Sequence, residues 1–193
     1  MTKGTQGRRN QQRMAAREAQ RRKRRLLWIV AGVLVALASV GGIAWAARQS
    51  NQPAPGEAVV IQGRDHIQPG QSHPPYNSDP PTSGWHYDQP VRAGFYSEPL
   101  PDEELVHNLE LGHVVISYDC SKLTDCDSVK AKLQALVDRF QDWKVVAVAR
   151  ENADAPIALT AWGRIDKLNG YDENRIAAFI NYWRDRGPEA TPD

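Results

Sequence analysis

Residues 113–149 read HVVISYDCSKLTDCDSVKAKLQALVDRFQDWKVVAVA, and this stretch carries the strongest indication of the fold. The segments 113–118 and 145–149 are short apolar runs, which are typical of buried strands. Between them, a helix is predicted over 127–141, capped by Asp127, because apolar residues recur at helical spacing: Val129, Leu133, Leu136, Val137 and Phe140. A strand, a helix and a second strand in this order indicate a sheet with a helix packed on it.

Further elements are predicted on both sides of this stretch. A helix begins after Pro101, where three acidic residues follow, and ends at Gly112. Residues 157–162 predict a strand, the apolar stripe after Asp172 predicts a last helix, and the run 59–61 predicts a short first strand. The order of these elements predicts an α+β fold in which a small mixed sheet packs against helices, in a ferredoxin-like or a thioredoxin-like arrangement.

A long proline-rich loop is predicted between the first strand and the first helix. Residues 64–90 contain six prolines, which exclude a helix or a central strand. Loops of this length in compact domains are usually functional or disordered. The aromatic residues of the loop favour an ordered segment pinned to the core, with a flexible stalk as the alternative.

A membrane span is predicted ahead of the domain. Residues 26–47, LLWIVAGVLVALASVGGIAWAA, are 22 residues without a charge, and about 20 apolar residues cross a bilayer as a helix. Five basic residues at 21–25 abut this run, so the positive-inside rule places the N-terminus in the cytoplasm and the rest of the chain outside the plasma membrane. A cleaved signal peptide is the alternative, because Ala44-Trp45-Ala46 has the form of a cleavage site.

The charge distribution indicates that the N-terminal tail and the rest of the chain face different surroundings. The formal net charge is +9 over residues 1–25 and −8 over residues 26–193. The basic tail has no aromatic residue for stacking on bases, and its position beside the apolar run favours contact with anionic lipid over nucleic acid. The expected organisation is a cytoplasmic tail at 1–25, a transmembrane helix at 26–47, a linker at 48–56, an extracytoplasmic α+β domain at 57–187 and a disordered C-terminus at 188–193.

The two cysteines of the chain, Cys120 and Cys126, fall in the part assigned to the outside, where disulfides form and persist. Their spacing predicts a structural disulfide that joins a strand end to a helix start. A redox or metal role is the alternative. The spacing has more residues between the cysteines than the Cys-x-x-Cys of thiol oxidoreductases.

The five histidines of the chain all lie between residues 66 and 113. His107 and Glu110 are three residues apart, so they share one face of the predicted helix, and His113 follows just beyond its end. With the loop residue His86, these side chains form a candidate site for zinc or copper. The alternative is that the histidines donate hydrogen bonds to backbone carbonyls. The sequence contains no nucleophile elbow, phosphate-binding glycine loop or dinucleotide fingerprint.

Three segments resemble the bacterial family known as domain of unknown function 3105. They are NSDPPTSGWHY at 77–87, LVHNLE at 105–110 and ALTAWGR at 158–164, and the resemblance covers most of residues 57–187. The specific loop motif consists of Pro80, Pro81, Thr82, Ser83, Gly84, His86 and Tyr87. The resemblance implies a membrane-tethered extracytoplasmic domain and implies no activity. Members commonly carry a histidine where this chain has Leu111, so His113 is the candidate substitute for that ligand.

The sequence therefore leads to three hypotheses. The first is a non-catalytic cell-envelope module that binds a protein, a wall component or a ligand through the proline-rich, aromatic loop. The second is a metal-binding or metal-dependent protein that uses His86, His107, Glu110 and His113. The third is a thiol-redox domain that uses the cysteine pair. No catalytic residue is assigned, and the lipid bilayer is the expected partner of the tail and span.

Overall fold

The computed structural model describes residues 53–189. The predicted cytoplasmic tail and membrane span at 1–47 lie outside the described residues, as do part of the linker and the end of the C-terminal segment. Within 53–189, no helix has both the length and the hydropathy needed to cross a bilayer. The described residues from 54 to 189 belong to one compact unit.

A six-stranded mixed sheet lies at the centre of this unit, with the strand order β1-β6-β5-β3-β4-β2. β3 pairs in parallel with β4, and β4 pairs in parallel with β2; the pairs β3/β5, β5/β6 and β6/β1 are antiparallel. The strands span Glu57–Ala58 (β1), Gly94–Tyr96 (β2), Val114–Tyr118 (β3), Val145–Ala149 (β4), Ile157–Ala161 (β5) and Arg164–Leu168 (β6). The prediction of a mixed sheet with helices is confirmed.

In the described part of the chain, three α-helices accompany the sheet: α1 at Asp102–Glu110, α2 at Cys126–Arg139 and α3 at Glu173–Trp183. The side chain of Asp125 accepts a hydrogen bond from the Ser128 backbone N–H and caps α2, two residues before the Asp127 cap expected from the sequence. Asp172 caps α3 as predicted, by accepting from the N–H of Arg175. The short turn Cys120–Lys122 is a 3₁₀ helix between β3 and α2.

The two faces of the sheet build two hydrophobic clusters. Because side chains alternate along a strand, β3 directs Val114, Ile116 and Tyr118 to one face, where they pack in the larger cluster with residues of α2 and α3. On the other face, Val115 joins a smaller cluster that includes Leu105 and Leu109 of α1. Each fully buried aliphatic side chain stabilises the fold by about 1.5–3 kcal/mol. The smaller cluster fixes α1, and α1 carries half of the candidate site.

The structure differs from the sequence prediction at the edges of the sheet. The first strand is Glu57–Ala58 and not 59–61, and Val60 and Ile61 are 79% and 47% exposed. The backbone N–H of Val59 still bonds to the carbonyl of Gly163 beside β6. β2 and β6 were not predicted, because β2 has only three residues and β6 interleaves charged side chains with apolar ones.

Candidate metal site

Four side chains converge at the C-terminal end of α1: His66, His86, His107 and Glu110. One donor atom from each lies within 4.8 Å of all the others. Bond lengths of about 2.0–2.2 Å around a tetrahedral zinc place its donors roughly 3.4 Å apart, so shifts of about 1 Å or less bring these atoms to coordination distance. Among the described residues, these four side chains are the one group of His, Cys, Asp and Glu whose donor atoms are close enough together to hold a metal ion.

The proline-rich loop supplies two of the four donors. His66 and His86 are twenty residues apart, and they are brought side by side by a short parallel bridge. In this bridge the Ile67 N–H donates to the His86 carbonyl at 2.8 Å, and the His86 N–H donates to the Asp65 carbonyl at 3.2 Å. The two imidazole rings then meet edge to face, with their centroids 4.6 Å apart.

The last turn of α1 supplies the other two donors. His107 and Glu110 are three residues apart, so both side chains leave the helix on the same face. The ring of His107 stacks on that of His66 with centroids 5.3 Å apart. It meets the ring of His86 edge to face at 5.2 Å. The predicted helix therefore directs the predicted pair, His107 and Glu110, towards the two loop histidines.

Backbone carbonyls fix the orientation of two rings. The Nδ1 atom of His86 lies 2.7 Å from the carbonyl oxygen of Gly84, and the Nδ1 atom of His107 lies 2.7 Å from that of Tyr87. A carbonyl can only accept, so each Nδ1 carries the proton and donates it. In the neutral rings, both Nε2 atoms are then lone-pair donors directed into the cluster, as metal-binding histidines require.

The contact between His86 and Glu110 carries the clearest chemical signal. His86 Nε2 lies 2.7 Å from Glu110 Oε2, and the two side chains are 0% and 1% exposed. The contact is close but lacks hydrogen-bond geometry, so His86 Nε2 and both oxygens of Glu110 are buried without a hydrogen-bond partner. Two facing acceptors repel unless a cation, either a metal ion or a proton, lies between them.

The position of Glu110 increases the need for a cation. The carboxylate belongs to the final residue of α1, where the helix dipole is negative and destabilises an anion. The nearest fixed cation is Arg64, whose Nε lies 3.7 Å from Glu110 Oε1 and whose side chain is 48% exposed. Arg64 is also shared with Glu189 at 3.6 Å. A half-exposed, shared guanidinium compensates only part of a fully buried charge.

The surroundings of His107 favour the neutral form of its ring. Burial lowers the pKa of His107, and the neighbouring imidazoles of His86 and His66 lower it further. The hydrogen bond to the Tyr87 carbonyl and the charge of Glu110 act in the opposite direction without reversing the shift. The ring is therefore neutral at physiological pH, which is the protonation state of a metal ligand.

The specific loop motif lies underneath the site and supports it. Residues Pro80 to Gly84 are buried, and so is His86. Gly84 has φ +120°, and a Cβ added there would lie 3.2 Å from a ring atom of Tyr76. The hydroxyl of Tyr76 donates to the Trp85 carbonyl at 2.6 Å. These contacts hold the backbone immediately before His86, and they agree with the prediction of an ordered segment pinned to the core.

Arg150, the residue after β4, joins the proline-rich loop to α1 through hydrogen bonds. Its guanidinium donates to the Asp102 carboxylate at 2.6 Å and, through Nε, to the Asp79 carboxylate at 3.0 Å. Burial lowers the pKa of this guanidinium, but the two carboxylates outweigh that effect and raise it. The loop and the helix that share the site are thus joined at a second point.

The structure brings together three of the four predicted ligands and adds His66 in place of His113. The Nδ1 atom of His113 lies 3.0 Å from the side-chain nitrogen of Asn108, and His113 is not a member of the convergent group. His73 stacks on Trp85 and contacts Glu103 at 3.2 Å. Sequence reasoning missed His66 because the bridge that pairs it with His86 has no local sequence signature.

Leu111 does not interrupt the group. Leu111 directly follows Glu110 at the end of α1. The family resemblance led us to expect a histidine at this position. The loop residue His66 completes a set of four donors without a side chain from that position. The site is therefore built half from helix and half from loop.

The comparison with protein families gives one match. The profile of the family described as "Protein of unknown function (DUF3105)" matches residues 66–193, which include all four residues of the cluster. The search of curated proteins returns no match, and neither does the search of solved structures.

Proposed function

The chain belongs to the DUF3105 family, and we propose that its domain is a metal-binding module that holds one transition-metal ion with His66, His86, His107 and Glu110. The observation that carries this proposal is the buried contact of His86 Nε2 with the Glu110 carboxylate, in which the two groups lie 2.7 Å apart without a hydrogen bond. A metal ion bonded to both atoms removes the repulsion and satisfies both acceptors.

The donor set defines the class of metal. Three neutral imidazoles and one carboxylate suit zinc, copper and other late divalent ions and are unsuited to calcium or magnesium, which prefer all-oxygen sites. The carboxylate leaves a bound dication with one net positive charge, close to the partial negative end of α1. His66 is 43% exposed, so the ion has one edge open to solvent and can enter from that side.

Elemental analysis tests this function. We expect about one zinc or copper ion per chain in protein purified without chelator, or in stripped protein after reloading. His66→Asn removes a ligand without disturbing the core, because its ring is half-exposed, and it should weaken retention of the ion during gel filtration. His73→Asn is the matched control, since His73 lies in the same loop outside the group. No metal under either loading condition ends the proposal.

We further propose that the domain is held outside the plasma membrane by a span at 26–47, with residues 1–25 in the cytoplasm. The uncharged 22-residue run and the basic residues before it support this location. Protease added to intact spheroplasts should digest the domain. Protection that is lost only after lysis would contradict this topology.

Of the two arrangements expected from the sequence, we propose the thioredoxin-like one. The parallel neighbours β2/β4 and β4/β3, followed by the antiparallel strands β5 and β6, support it. The ferredoxin-like alternative is built from two β-α-β units in the order β-α-β-β-α-β, whereas here β4, β5 and β6 follow one another without a helix.

A cell-envelope partner, either a protein or a wall component, is a second candidate function. Two adjacent exposed apolar side chains, Val60 and Ile61, favour it, because such residues at a domain surface are typical of contact sites. Cross-linking in cells should then yield an envelope component that Val60→Asp releases. Unchanged cross-linking by that variant would exclude this surface.

A further inference from the structure

A cavity of about 430 Å³ lies at the C-terminal ends of β3 and β4, at the opposite end of β3 from the metal cluster. Its wall includes Tyr118 and Cys120 on one side and Ala149 and Asn152 on the other. Cys120 and Cys126 form a disulfide, as their spacing predicted. Because Cys120 lines the cavity, this disulfide lies at a concave surface large enough for a small molecule or a side chain. No part of the metal site contributes to this wall.

The two sulfur atoms of the disulfide have different surroundings. Cys120 is exposed, stands in the 3₁₀ turn and lines the cavity. Cys126 is partly buried, packs against the larger hydrophobic cluster and is the first residue of the 14-residue helix α2. The sulfur of Cys120 is consequently the more accessible of the two to an incoming thiol.

The charges around the pair favour negative charge on Cys126 over Cys120. Although burial opposes it, hydrogen bonds from Ser121 and the Ala153 N–H lower the pKa of Asp119, so an anion adjoins Cys120. Cys126 stands at the positive end of α2. Asp125 and Asp127 flank Cys126 and act against a thiolate there, but both are exposed, so solvent screens them.

The cavity itself carries negative charge. Glu98, Asp119 and Glu151 are in its wall, and the single basic residue of the wall, Arg150, is bound to the carboxylates of Asp79 and Asp102. The acidic wall attracts a cationic ligand and repels an anionic one. The chemical class that fits the cavity is a thiol with a positive charge, such as a small aminothiol or a cysteine flanked by basic residues.

We propose that the Cys120–Cys126 pair is a thiol–disulfide exchange site for cationic thiols. The substrate thiolate attacks the sulfur of Cys120, a substrate–Cys120 disulfide forms, the Cys120–Cys126 bond breaks, and its electron pair stays on Cys126 as a thiolate. A second substrate thiolate then attacks the substrate sulfur of the mixed disulfide and releases Cys120. Two substrate thiols are thereby oxidised to one disulfide, and the two electrons and two protons that they lose reduce the protein pair to two thiols.

The test compares three small thiols of different charge on the full-length folded protein. Cysteamine is positive, 2-mercaptoethanol is neutral and 2-mercaptoethanesulfonate is negative. Reduction is followed by acid quench, alkylation and mass spectrometry, and each rate is divided by the thiolate fraction of the reagent. At low ionic strength we expect cysteamine to react about tenfold faster than the sulfonate, and we expect 0.5 M salt to reduce this ratio.

Two variants make the test specific. Glu98→Gln/Glu151→Gln should bring the rate ratio towards one, and the change is tolerated because both side chains are exposed. Glu57→Gln/Asp142→Asn removes the same charge far from the cavity, at β1 and ahead of β4, and should leave the ratio unchanged. In quenched samples, peptide mapping should find the mixed disulfide on Cys120.

Three results would overturn the proposal. The first is an equal rate for all three thiols. The second is a mixed disulfide on Cys126. The third is reduction that occurs only in step with unfolding, as followed by circular dichroism, since that would make the disulfide a structural crosslink alone.

Discussion

The variant Glu110→Gln distinguishes two interpretations of the contact between His86 and Glu110, a metal site and a buried salt bridge. The two interpretations predict opposite effects of the substitution on the stability of the metal-free protein. If a metal ion is the natural counter-charge, stripped wild-type protein contains a fully buried Glu110 carboxylate that faces His86 Nε2 without a hydrogen bond. The glutamine amide can donate to His86 Nε2 and removes the buried charge. We expect the metal-free variant to be as stable as the wild type or more stable by about 1 kcal/mol.

The response to metal should also differ between the two proteins. At a free zinc concentration of one hundred times the dissociation constant, binding stabilises the wild type by about 2.7 kcal/mol, or roughly 10 °C in Tm. Loss of an outer-shell partner already costs about 10- to 100-fold in metal affinity, so loss of the carboxylate ligand should cost at least about 100-fold. At the same zinc concentration the variant then gains only about 0.4 kcal/mol.

Urea unfolding with and without zinc, followed by circular dichroism, measures both quantities. Glu104→Gln is the matched control, since it is the same substitution on α1 outside the group, and it should keep the full zinc increment. A loss of about 3–5 kcal/mol in metal-free Glu110→Gln would refute the reasoning, because that is the cost of breaking a buried imidazolium–carboxylate pair. An equal zinc increment in wild type and variant would refute it as well.

Three other substitutions test the supports of the fold and site. Replacing Cys120 and Cys126 by serine should lower the free energy of unfolding by about 2 kcal/mol, as expected for a crosslink that closes a short loop, and urea denaturation would measure it. Gly84→Ala should cost about 1–3 kcal/mol and weaken zinc binding in titration calorimetry, since its φ of +120° disfavours a side chain. Arg150→Gln should cost about 2–3 kcal/mol in the same unfolding assay, because it leaves two carboxylates without their cation.

The helices and the central strands were predictable because their signals are local. The apolar spacing at 127–141 predicted a helix observed at Cys126–Arg139, and the apolar runs predicted β3 and β4 within one residue. β2 was not predictable, since its three residues become a strand only through parallel pairing with β4, about fifty residues away. Long-range pairing of a short edge strand has no periodic pattern of its own.

The candidate site was half predictable for the same reason. His107 and Glu110 share a helix face by spacing alone, so the sequence was sufficient to pair them. Their convergence with His66 and His86 depends on a loop backbone without regular structure, held by Gly84, Tyr76 and similar individual contacts. His113 was preferred over His66 because it is closer in sequence to Glu110, and sequence proximity is a poor guide to distance around a loop.

The arrangement of the donors suggests why an irregular segment of this length is stable in a compact domain. Ordering each loop residue costs about 1–2 kcal/mol of backbone entropy, and a loop has no ladder of hydrogen bonds to offset it. In this chain the loop is fixed to α1 at two points, through Arg150 at one and through the imidazoles at the other. A bound ion joins loop and helix directly, because His66 and His86 come from the loop and His107 and Glu110 come from α1. Metal affinity and loop order are therefore linked: whatever loosens the segment around Gly84 must weaken binding, and binding must in turn hold that segment in place.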